Sequence, residues 1–530
     1  GQTLRSWAAS AQTPFEYLAV CSDDTVTGTD DFTAHAADLG FPVTTNASDV
    51  ARFLRRRSGR RVVFCTYQSS PVVARSQTTS GVPRFDVVFA DEAHRCAGPA
   101  TADFATVLDD RKIKARKRVF MTATPRYLSG RVQRAGTERD YEVISMDDEA
   151  AFGPVLHQLT FGKAIKRDLL ADYRVVVVGV DEPTYARYAQ RGELVTRDGA
   201  TVTDARTLAR QIGLARAMRK FDLHRVISFH SRVAAARRFA NDLPDVIAWM
   251  PRQAGPKGAL WTHHVSGEMN AGQREALLDR FRQLDGDERG VLSNARCLAE
   301  GVDVPAIDGV AFIDPRRSTV DILQAVGRAI RQAPDKTLGT IVIPVFIEPG
   351  LADQDVLNTS DFRPVWDIVR ALRAHDEVIG EQLDHARREL GRARAGLEAP
   401  DKVVLDLPST VGVDFARAFD ARLVEQTSAP WEFWFGLLES FAGRTGGANV
   451  PTDHQESGYP LGKWVSHQRW FQSRGILDQT RADRLEAVEG WTWHSTASAW
   501  ESMFTLLETF IELNGDSRVP QGYVTDGGVR

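Results

Sequence analysis

The chain has few cysteines, no long apolar run and no signal-like segment at its start. Its four cysteines, Cys21, Cys65, Cys96 and Cys297, are widely spaced and form no Cys-x-x-Cys pair. This spacing argues against a disulfide framework and against a zinc site. The longest aliphatic run, Val175 to Val180, is too short to span a bilayer. We therefore expect a cytoplasmic protein with no membrane partner.

The chain also lacks an excess of charge of either sign. Its 66 Lys and Arg residues and 70 Asp and Glu residues give a formal net charge of −4. Because no global positive field attracts a polyanion, any contact with nucleic acid has to be a local groove. With 530 residues and a hydrophobic share of 43%, the chain can bury several cores, and we expect roughly two to four globular domains.

Short apolar runs alternate with helical stretches through the first 350 residues. They are Tyr17–Cys21, Val62–Cys65, Val87–Ala90, Arg118–Met121, Val226–Phe229, Gly290–Ser293, Gly309–Ile313 and Thr340–Pro344. This alternation predicts an α/β fold with two doubly wound parallel sheets, one in residues 1–150 and one in residues 165–350. The segment from Phe152 to Arg174 is the predicted connection between them.

Two adjacent carboxylates, Asp91 and Glu92, follow the apolar run at residues 85–90. Ligands of α/β proteins bind at the carboxyl ends of the strands, where such a pair meets them. In phosphoryl transfer, one carboxylate there can face Mg²⁺ and the other the attacking water. Acidic pairs at strand ends are also common as caps and turn residues, so the pair alone is not specific.

Three further motifs follow this one in a fixed order. The four motifs are Asp91-Glu92-Ala93-His94, Met121-Thr122-Ala123-Thr124-Pro125-Arg126, residues 294–305 and residues 324–331. In this order they resemble motifs II, III, V and VI of superfamily 2 helicases of the DEAD/DEAH type. The resemblance implies two RecA-like lobes that bind ATP between them, with ATP and Mg²⁺ as cofactors.

The resemblance also assigns roles in the first lobe. Asp91 holds the metal, and Glu92 orients or deprotonates the attacking water beside it. Thr122 and Thr124 couple hydrolysis to lobe movement, and His94 bridges to the second lobe.

The second lobe supplies positive charge opposite the metal. Arg328 and Arg331 fall on one face of a predicted helix, one turn apart, and both guanidinium groups can reach the γ-phosphate. A surface helix with two solvated arginines is the alternative. The other ATP-site residues implied by the family motifs are Gly301, Asp303, Gln324 and Gly327.

No phosphate-binding loop is present in the sequence. This class holds the β- and γ-phosphates with a glycine-rich loop that ends in Gly-Lys-Ser or Gly-Lys-Thr. The Gly-Lys pairs at residues 162–163 and 462–463 are followed by neither serine nor threonine. Since the chain also begins at Gly1 without a methionine, we expect a fragment cut downstream of motif I. It should bind ATP poorly and hydrolyse it little, with an ATP-independent relic as the alternative.

Nucleic-acid contacts are expected where polar residues follow strands. Thr66 and Gln68 occupy the place of motif Ib, and Ser231, Arg232 and Ser266 are their counterparts in the second lobe. Contacts of this kind position a strand on its phosphates without reading its sequence. Capping of the helices that start there is the alternative role. We expect DNA rather than RNA as the partner, and a monomer.

Residues 364–397 show helical periodicity and predict an amphipathic helix on the second lobe, with a short coiled-coil arm as the alternative. Further on, the pattern Trp-x-x-x-Phe-x-Leu-Leu-Glu-x-Phe begins at Trp431 and again at Trp500, an offset of 69 residues. This is a duplicated unit of roughly 65 to 70 residues, whose second copy is incomplete at Arg530.

The first copy resembles the helicase-associated domain of bacterial helicases, which implies three short helices around a tryptophan core. Trp431, Trp464 and Trp493 are the predicted core residues. A basic face for nucleic acid, with ordinary solvation as the alternative, would consist of Lys463, His467, Arg469 and Arg474.

The expected organisation is therefore two RecA-like lobes at residues 1–150 and 165–350, a helical linker at 351–428, and all-α repeats at 429–495 and 498–530. The expected function is that of an ATP-dependent helicase or translocase. A restriction or defence motor and an ATP-independent nucleic-acid-binding scaffold are the alternatives.

Overall fold

The structure is a computed structural model, and the account below concerns the residues whose placement it describes. These are residues 7–21, 43–56, 59–99, 102–127, 143–181, 205–269, 271–295, 307–314, 318–334, 336–348, 353–359, 361–392, 399–493 and 495–525.

The chain folds into an α/β part followed by a helical part. The strands are β1 Glu16–Val20, β2 Val43–Thr44, β3 Arg61–Cys65, β4 Phe85–Ala90, β5 Gly98–Pro99, β6 Ala115–Phe120, β7 Val143–Ile144, β8 Asp172–Asp181, β9 Arg225–His230, β10 Leu260–Val265, β11 Arg289–Asn294, β12 Gly309–Asp314, β13 Leu338–Ile347 and β14 Val403–Asp406. The helices are α1 Ala47–Leu54, α2 Ser70–Ser76, α3 Glu149–Phe152, α4 Phe161–Lys166, α5 Ala205–Lys220, α6 Val233–Trp249, α7 Ala271–Arg282, α8 Thr319–Ala329, α9 Asp353–Leu357, α10 Arg363–Arg373, α11 Glu377–Gly391, α12 Val413–Thr427, α13 Pro430–Thr445, α14 Leu461–Ser473, α15 Gln479–Glu486 and α16 Ser495–Asn514.

The second lobe is a seven-stranded parallel sheet in the order β10-β11-β9-β12-β13-β8-β14. Its central strands carry apolar runs, such as Val226–Ile227 and Val291–Leu292, because both faces are covered. Val176 and Val226 on the strands pack with Leu214 and Met218 of α5 and with Phe239 of α6. The predicted parallel α/β fold is therefore confirmed for this lobe.

The first lobe contains smaller parallel groups of strands. One sheet has the order β2-β1-β3, a second pairs β4 with β6, and β5 pairs with β7 in antiparallel fashion. A cluster of Ala90, Ala93, Cys96, Val107 and Ile113 covers part of the β4–β6 pair. The four strands predicted in this lobe are all present as β1, β3, β4 and β6.

Three sequence predictions need correction at their boundaries. The predicted connection to Arg174 runs into β8, which starts at Asp172 and lies between β13 and β14. The predicted helical linker contains β14, which pairs with β8 of the second lobe. The helix predicted over residues 364–397 is two helices, because Asp376 accepts the N–H of Val378 at 3.0 Å and starts α11. Of these two helices, α10 packs against α8.

The described residues fall into two compact units. The first lies within Gly1–Leu351, Asn358–His375 and Lys402–Val411, and the second within Ala352–Leu357, Asp376–Asp401 and Gly412–Arg530. The second unit is helical, and α13, α14 and α15 enclose Trp431, with Trp464 and Trp493 half-buried against it. In the described part of the chain, no helix is long and apolar enough to cross a membrane.

The two copies of the repeat share local structure as well as sequence. Matching features at an offset of 69 residues are the left-handed glycines Gly446 and Gly515 and the ring contacts Phe441–His454 and Phe510–Tyr523, both with centroids 4.8 Å apart. The helix that opens each copy, α13 or α16, therefore ends in the same chain reversal.

Candidate active site

The two carboxylates of motif II lie at the carboxyl end of β4. Glu92 adopts the left-handed conformation, with φ 51° and ψ 44°, which turns the chain sharply after the strand. Neighbouring hydrogen bonds fix this turn: the Met121 N–H donates to the Ala90 carbonyl at 2.9 Å, and the Ala93 N–H donates to the Met121 carbonyl at 2.9 Å. A non-glycine residue in this conformation is strained, and such strain is concentrated at functional sites.

His94 connects motif II to motif III. Its Nδ1 lies 3.0 Å from Thr122 Oγ1, 3.4 Å from Thr124 Oγ1 and 3.3 Å from Glu92 Oε2. The Thr124 N–H also donates to Thr122 Oγ1 at 3.1 Å. Three predicted residues, two from motif III and one from motif II, thus meet around one buried imidazole. Any movement of the motif III loop will therefore act on the Glu92 carboxylate.

Tyr67 is a site residue that the sequence analysis missed. Its hydroxyl donates to the backbone carbonyl of Asp91 at 2.6 Å. Burial, together with nearby Cys96, raises the pKa of Tyr67 far above its ordinary value, so the hydroxyl stays a donor. The signal for it was its place between Thr66 and Gln68 in motif Ib. Tyr67 ties that motif to motif II.

Asp91 and Glu92 fit the requirements of Mg²⁺. Asp91 is exposed, so its carboxylate is accessible, whereas Glu92 is partly exposed and its Oε2 is buried. Within the described residues, no group of three or more His, Cys, Asp or Glu side chains is arranged to hold a metal by itself. Mg²⁺ commonly uses one or two carboxylates and completes its shell with water and substrate phosphates. Asp91, with Glu92 beside it, is thus suited to a metal that arrives with a nucleotide.

Helix α8 carries the motif VI residues of the second lobe. Ser318 caps its start, and Asp321, Gln324 and Gly327 form the partly exposed stripe along it. A side chain added at Gly327 would meet open space, and the buried Gln324 Nε2 has no hydrogen-bond partner. Arg328 is only 5% exposed. Arg331, one turn further on, is partly buried and its backbone pairs with Leu170.

Asp321 is a second residue that the sequence analysis missed. Burial raises the pKa of Asp321, and the nearby His94 side chain opposes this change. Since electrostatic influence of this kind falls off with distance, α8 of the second lobe lies close to motif II of the first. The sequence signal was its position one turn before Gln324 on the same helical face.

The structure describes only the first two residues of motif V. Asn294 ends β11 and is buried, and Ala295 follows it. Gly301 and Asp303 lie outside the described residues. Their assignment to the ATP site stays a prediction.

The predicted nucleic-acid contacts differ in their exposure. Thr66 and Arg232 are exposed, and Gln68 is partly exposed. The Ser231 hydroxyl donates to the Asp314 carboxylate, and Ser266 is only 1% exposed with no hydrogen-bond partner for its hydroxyl. In this arrangement Thr66 and Arg232 are the most accessible of the five.

Comparison with known families agrees with this geometry. The helicase conserved C-terminal domain family matches residues 217–333, which contain β9 to β12 and α8. The helicase-associated domain family matches residues 428–494, which contain α13, α14 and α15. The chain therefore carries a helicase conserved C-terminal domain and a helicase-associated domain, the combination expected of a superfamily 2 helicase. Its helicase-associated domain follows the second lobe and α10, α11 and α12.

Several known proteins similar to this chain are longer than it is. A probable helicase of African swine fever virus, strain Badajoz 1971 Vero-adapted, is 27% identical over 492 residues, which are 89% of this chain and 50% of the viral protein. The solved structure of the ATP-dependent Type ISP restriction-modification enzyme LlaBIII bound to DNA is 27% identical, with a TM-score of 0.65 over 90% of this chain and 31% of that one. A nuclease-deletion mutant of the Type ISP enzyme LlaGI shares the fold. It is 22% identical, with a TM-score of 0.50 over 89% of this chain and 32% of that one. The chain thus spans about half the length of the curated relatives that it matches.

Proposed function

We propose that this helicase is an ATP-driven motor that couples ATP hydrolysis to movement along DNA, or to its unwinding. The observation that carries the proposal is the cluster at the end of β4. There the Glu92 carboxylate contacts His94, which is bonded to motif III and acts on Asp321 of the second lobe. A water-activating carboxylate connected to both lobes is what a motor needs to convert hydrolysis into lobe movement.

In this proposal the two carboxylates of motif II, Asp91 and Glu92, have different roles. Asp91 holds Mg²⁺, which when bound neutralises charge on the β- and γ-phosphate oxygens. Glu92 accepts a hydrogen bond from the attacking water and orients it toward the γ-phosphorus. Arg328 and Arg331 stabilise the negative charge that develops on the transferred phosphoryl group. The P–O bond to the leaving ADP breaks as the water oxygen bonds to phosphorus.

Nucleotide binding by this chain alone should be weak. The sequence has no glycine-rich loop ending in Gly-Lys-Ser or Gly-Lys-Thr, and such a loop supplies the backbone N–H groups and the lysine that hold the phosphates. We therefore propose that full ATPase activity belongs to a complete gene product that carries this loop. An ATP-independent scaffold is the rival, and it predicts no turnover from any form of the protein.

DNA is the proposed track because the similar solved structure is described as bound to DNA. The same comparison favours a second candidate function, the motor of a restriction-modification enzyme. DNA-stimulated phosphate release without RNA stimulation would support the DNA assignment. Cleavage of DNA by the complete gene product would favour the second candidate.

Substitution of Glu92 tests the proposal. Because it removes the group that orients the water, Glu92→Gln should lower the DNA-stimulated ATPase rate of the complete gene product by about 100-fold or more. ATP binding should be retained. The matched control is Asp86→Asn on the same strand, whose carboxylate is exposed and pairs with Arg116 at 3.3 Å. An ATPase rate that Glu92→Gln leaves unchanged would overturn the assignment.

A further inference from the structure

A stripe of exposed side chains runs along α14 in the helicase-associated domain. It consists of Lys463, His467, Trp470 and Arg474, which follow one another at steps of four, three and four residues. Residues at these steps lie on one face of an α-helix. All four are exposed, and Trp470 has 51% of its surface open to solvent. We call these four residues the α14 stripe.

Trp470 differs from the tryptophans that build the domain core. Trp431 is buried at 7% exposure and donates its indole N–H to Gln468 at 3.0 Å. Trp470, in contrast, lies beside Phe471 with centroids 5.4 Å apart, and the Arg474 guanidinium is 5.7 Å from its ring. An exposed tryptophan does not contribute its full area to folding. Its ring face is available to a ligand, with a cation already beside it.

The stripe carries positive charge without carboxylates. Residues 461–477 contain no Asp or Glu, although the chain as a whole is slightly acidic. Over the eleven residue steps from Lys463 to Arg474, the chain rises by roughly 16 Å along the helix axis. Two cations thus flank an exposed aromatic ring along this length.

Arg469 does not belong to this surface, and its predicted place on the basic face is wrong. Its Nε donates to the Thr492 carbonyl at 2.9 Å, and its guanidinium lies 5.3 Å from the Trp491 ring. Burial lowers the pKa of Arg469 from its ordinary value. Arg469 holds the end of the domain in place, whereas the other three residues of the predicted face are exposed.

We propose that the α14 stripe binds single-stranded nucleic acid. A base stacks on the ring of Trp470, and Lys463 and Arg474 contact the flanking phosphates, with His467 on the same face. Exposed aromatics combined with cations are the means by which proteins hold single strands without reading their sequence. The surface lies outside the helicase motifs. It is a second contact with the track and does not require ATP.

The test measures the binding of a fluorescently labelled oligothymidine to the full chain by anisotropy, without nucleotide. Trp470→Ala should weaken binding by about fivefold or more, because stacking on one aromatic contributes that much per base. The matched control is Phe504→Ala. Phe504 is an aromatic residue of the same unit with 40% of its surface exposed, but the residue one turn away on its helix is the carboxylate Glu508 and not a cation. Phe504→Ala should bind as the unchanged chain does.

Charge is tested separately. The double change Lys463→Gln and Arg474→Gln should reduce the slope of log affinity against log salt by about 1.4, since each phosphate contact on a single strand contributes about 0.7. Unfolding temperatures should stay unchanged because all three side chains are exposed. The proposal is overturned if Trp470→Ala binds with wild-type affinity and the double variant keeps the wild-type salt slope. It is also overturned if Trp470→Ala and Phe504→Ala lower the affinity equally. This readout is independent of ATP turnover, so failure of the motor function leaves it interpretable.

Discussion

The two α/β lobes of this chain differ in how well their parallel strands are covered. All residues of β11 and nine of the ten in β13 are buried. In β4, which delivers Asp91 and Glu92, Val87 is 39% exposed and Phe89 is 47% exposed. The ring of Trp7 contacts Phe89 with centroids 5.9 Å apart.

Because of this difference, the strands that contribute most to stability are not the strand that leads to the candidate site. Strands of a parallel sheet are stabilised by apolar cover on both faces, which the second lobe has and the β4–β6 pair has only in part. The carboxylates of the candidate site lie on the less covered strand. We therefore expect substitutions in β4 to affect activity more than folding, and substitutions in β13 to do the reverse.

The largest expected effect concerns a buried phenylalanine in the first copy of the repeat and its exposed counterpart in the second copy. Phe435 is 4% exposed, whereas Phe504, its counterpart at an offset of 69, is 40% exposed. Phe435→Ala should lower the free energy of unfolding by about 3 to 5 kcal/mol, since it leaves a cavity in the domain core. Phe504→Ala should cost well under half of that. Urea unfolding followed by circular dichroism measures both, and equal losses would show that the two helices are covered alike.

A matched pair of valines tests the lobes themselves. Val342 in β13 is fully buried and Val87 in β4 is 39% exposed. Val342→Ala should lower the free energy of unfolding by about 2 kcal/mol, because two buried carbon groups are removed and a small cavity remains. Val87→Ala should cost less than about 1 kcal/mol. If Val87→Ala proves the more costly of the two, β4 is better covered than the structure shows.

A further expected effect is a pH dependence that originates in the second lobe. Burial lowers the pKa of Lys336 from 10.5 to about 8, although the nearby Asp308 opposes this change. Below pH 8 the amine is charged in both the folded and unfolded states, and its burial cost is fully present. Between pH 8 and 10.5 the folded state loses the proton first, so stability rises with pH.

Lys336→Met should abolish this contribution. The measurement is the midpoint of urea unfolding at several pH values between 7.5 and 10.5, in the wild-type chain and in the variant. The difference between the two should change steadily in favour of the wild type as pH rises. A constant difference across this window would contradict the lowered pKa.

Local sequence patterns were sufficient to predict most buried strands. The apolar runs of β9, β11 and β12 are visible because a covered parallel strand carries apolar residues over most of its length, and β3 and β4 have such runs although they are less covered. Strand β14 was missed because its four residues stand among helical patterns, and only pairing with β8 makes them a strand. The break between α10 and α11 depends on one capping side chain, Asp376, within a continuous helical periodicity.

Most residues of the candidate site were likewise predictable from the sequence. Motif order indicated Asp91, Glu92, His94, Thr122 and Thr124, and the structure brings the last four of these together. Tyr67 and Asp321 were missed because their places in motif Ib and on the motif VI helix do not show that each lies close to motif II, a distant part of the chain. Arg469 resembles its exposed neighbours in sequence, and only its contacts with Trp491 and Thr492 distinguish it.

The central claim is that both lobes contribute to one ATPase reaction. The measurement that tests it most directly is the DNA-stimulated ATPase rate of the complete gene product carrying Glu92→Gln, Arg328→Lys or both. Arg328→Lys keeps the charge but loses the planar fork, and it should slow turnover by roughly 10³-fold at an unchanged unfolding temperature. Because residues of one catalytic unit act together, the double variant should be no slower than the slower single variant. A wild-type rate in Arg328→Lys, or two independent effects that multiply in the double variant, would contradict the claim.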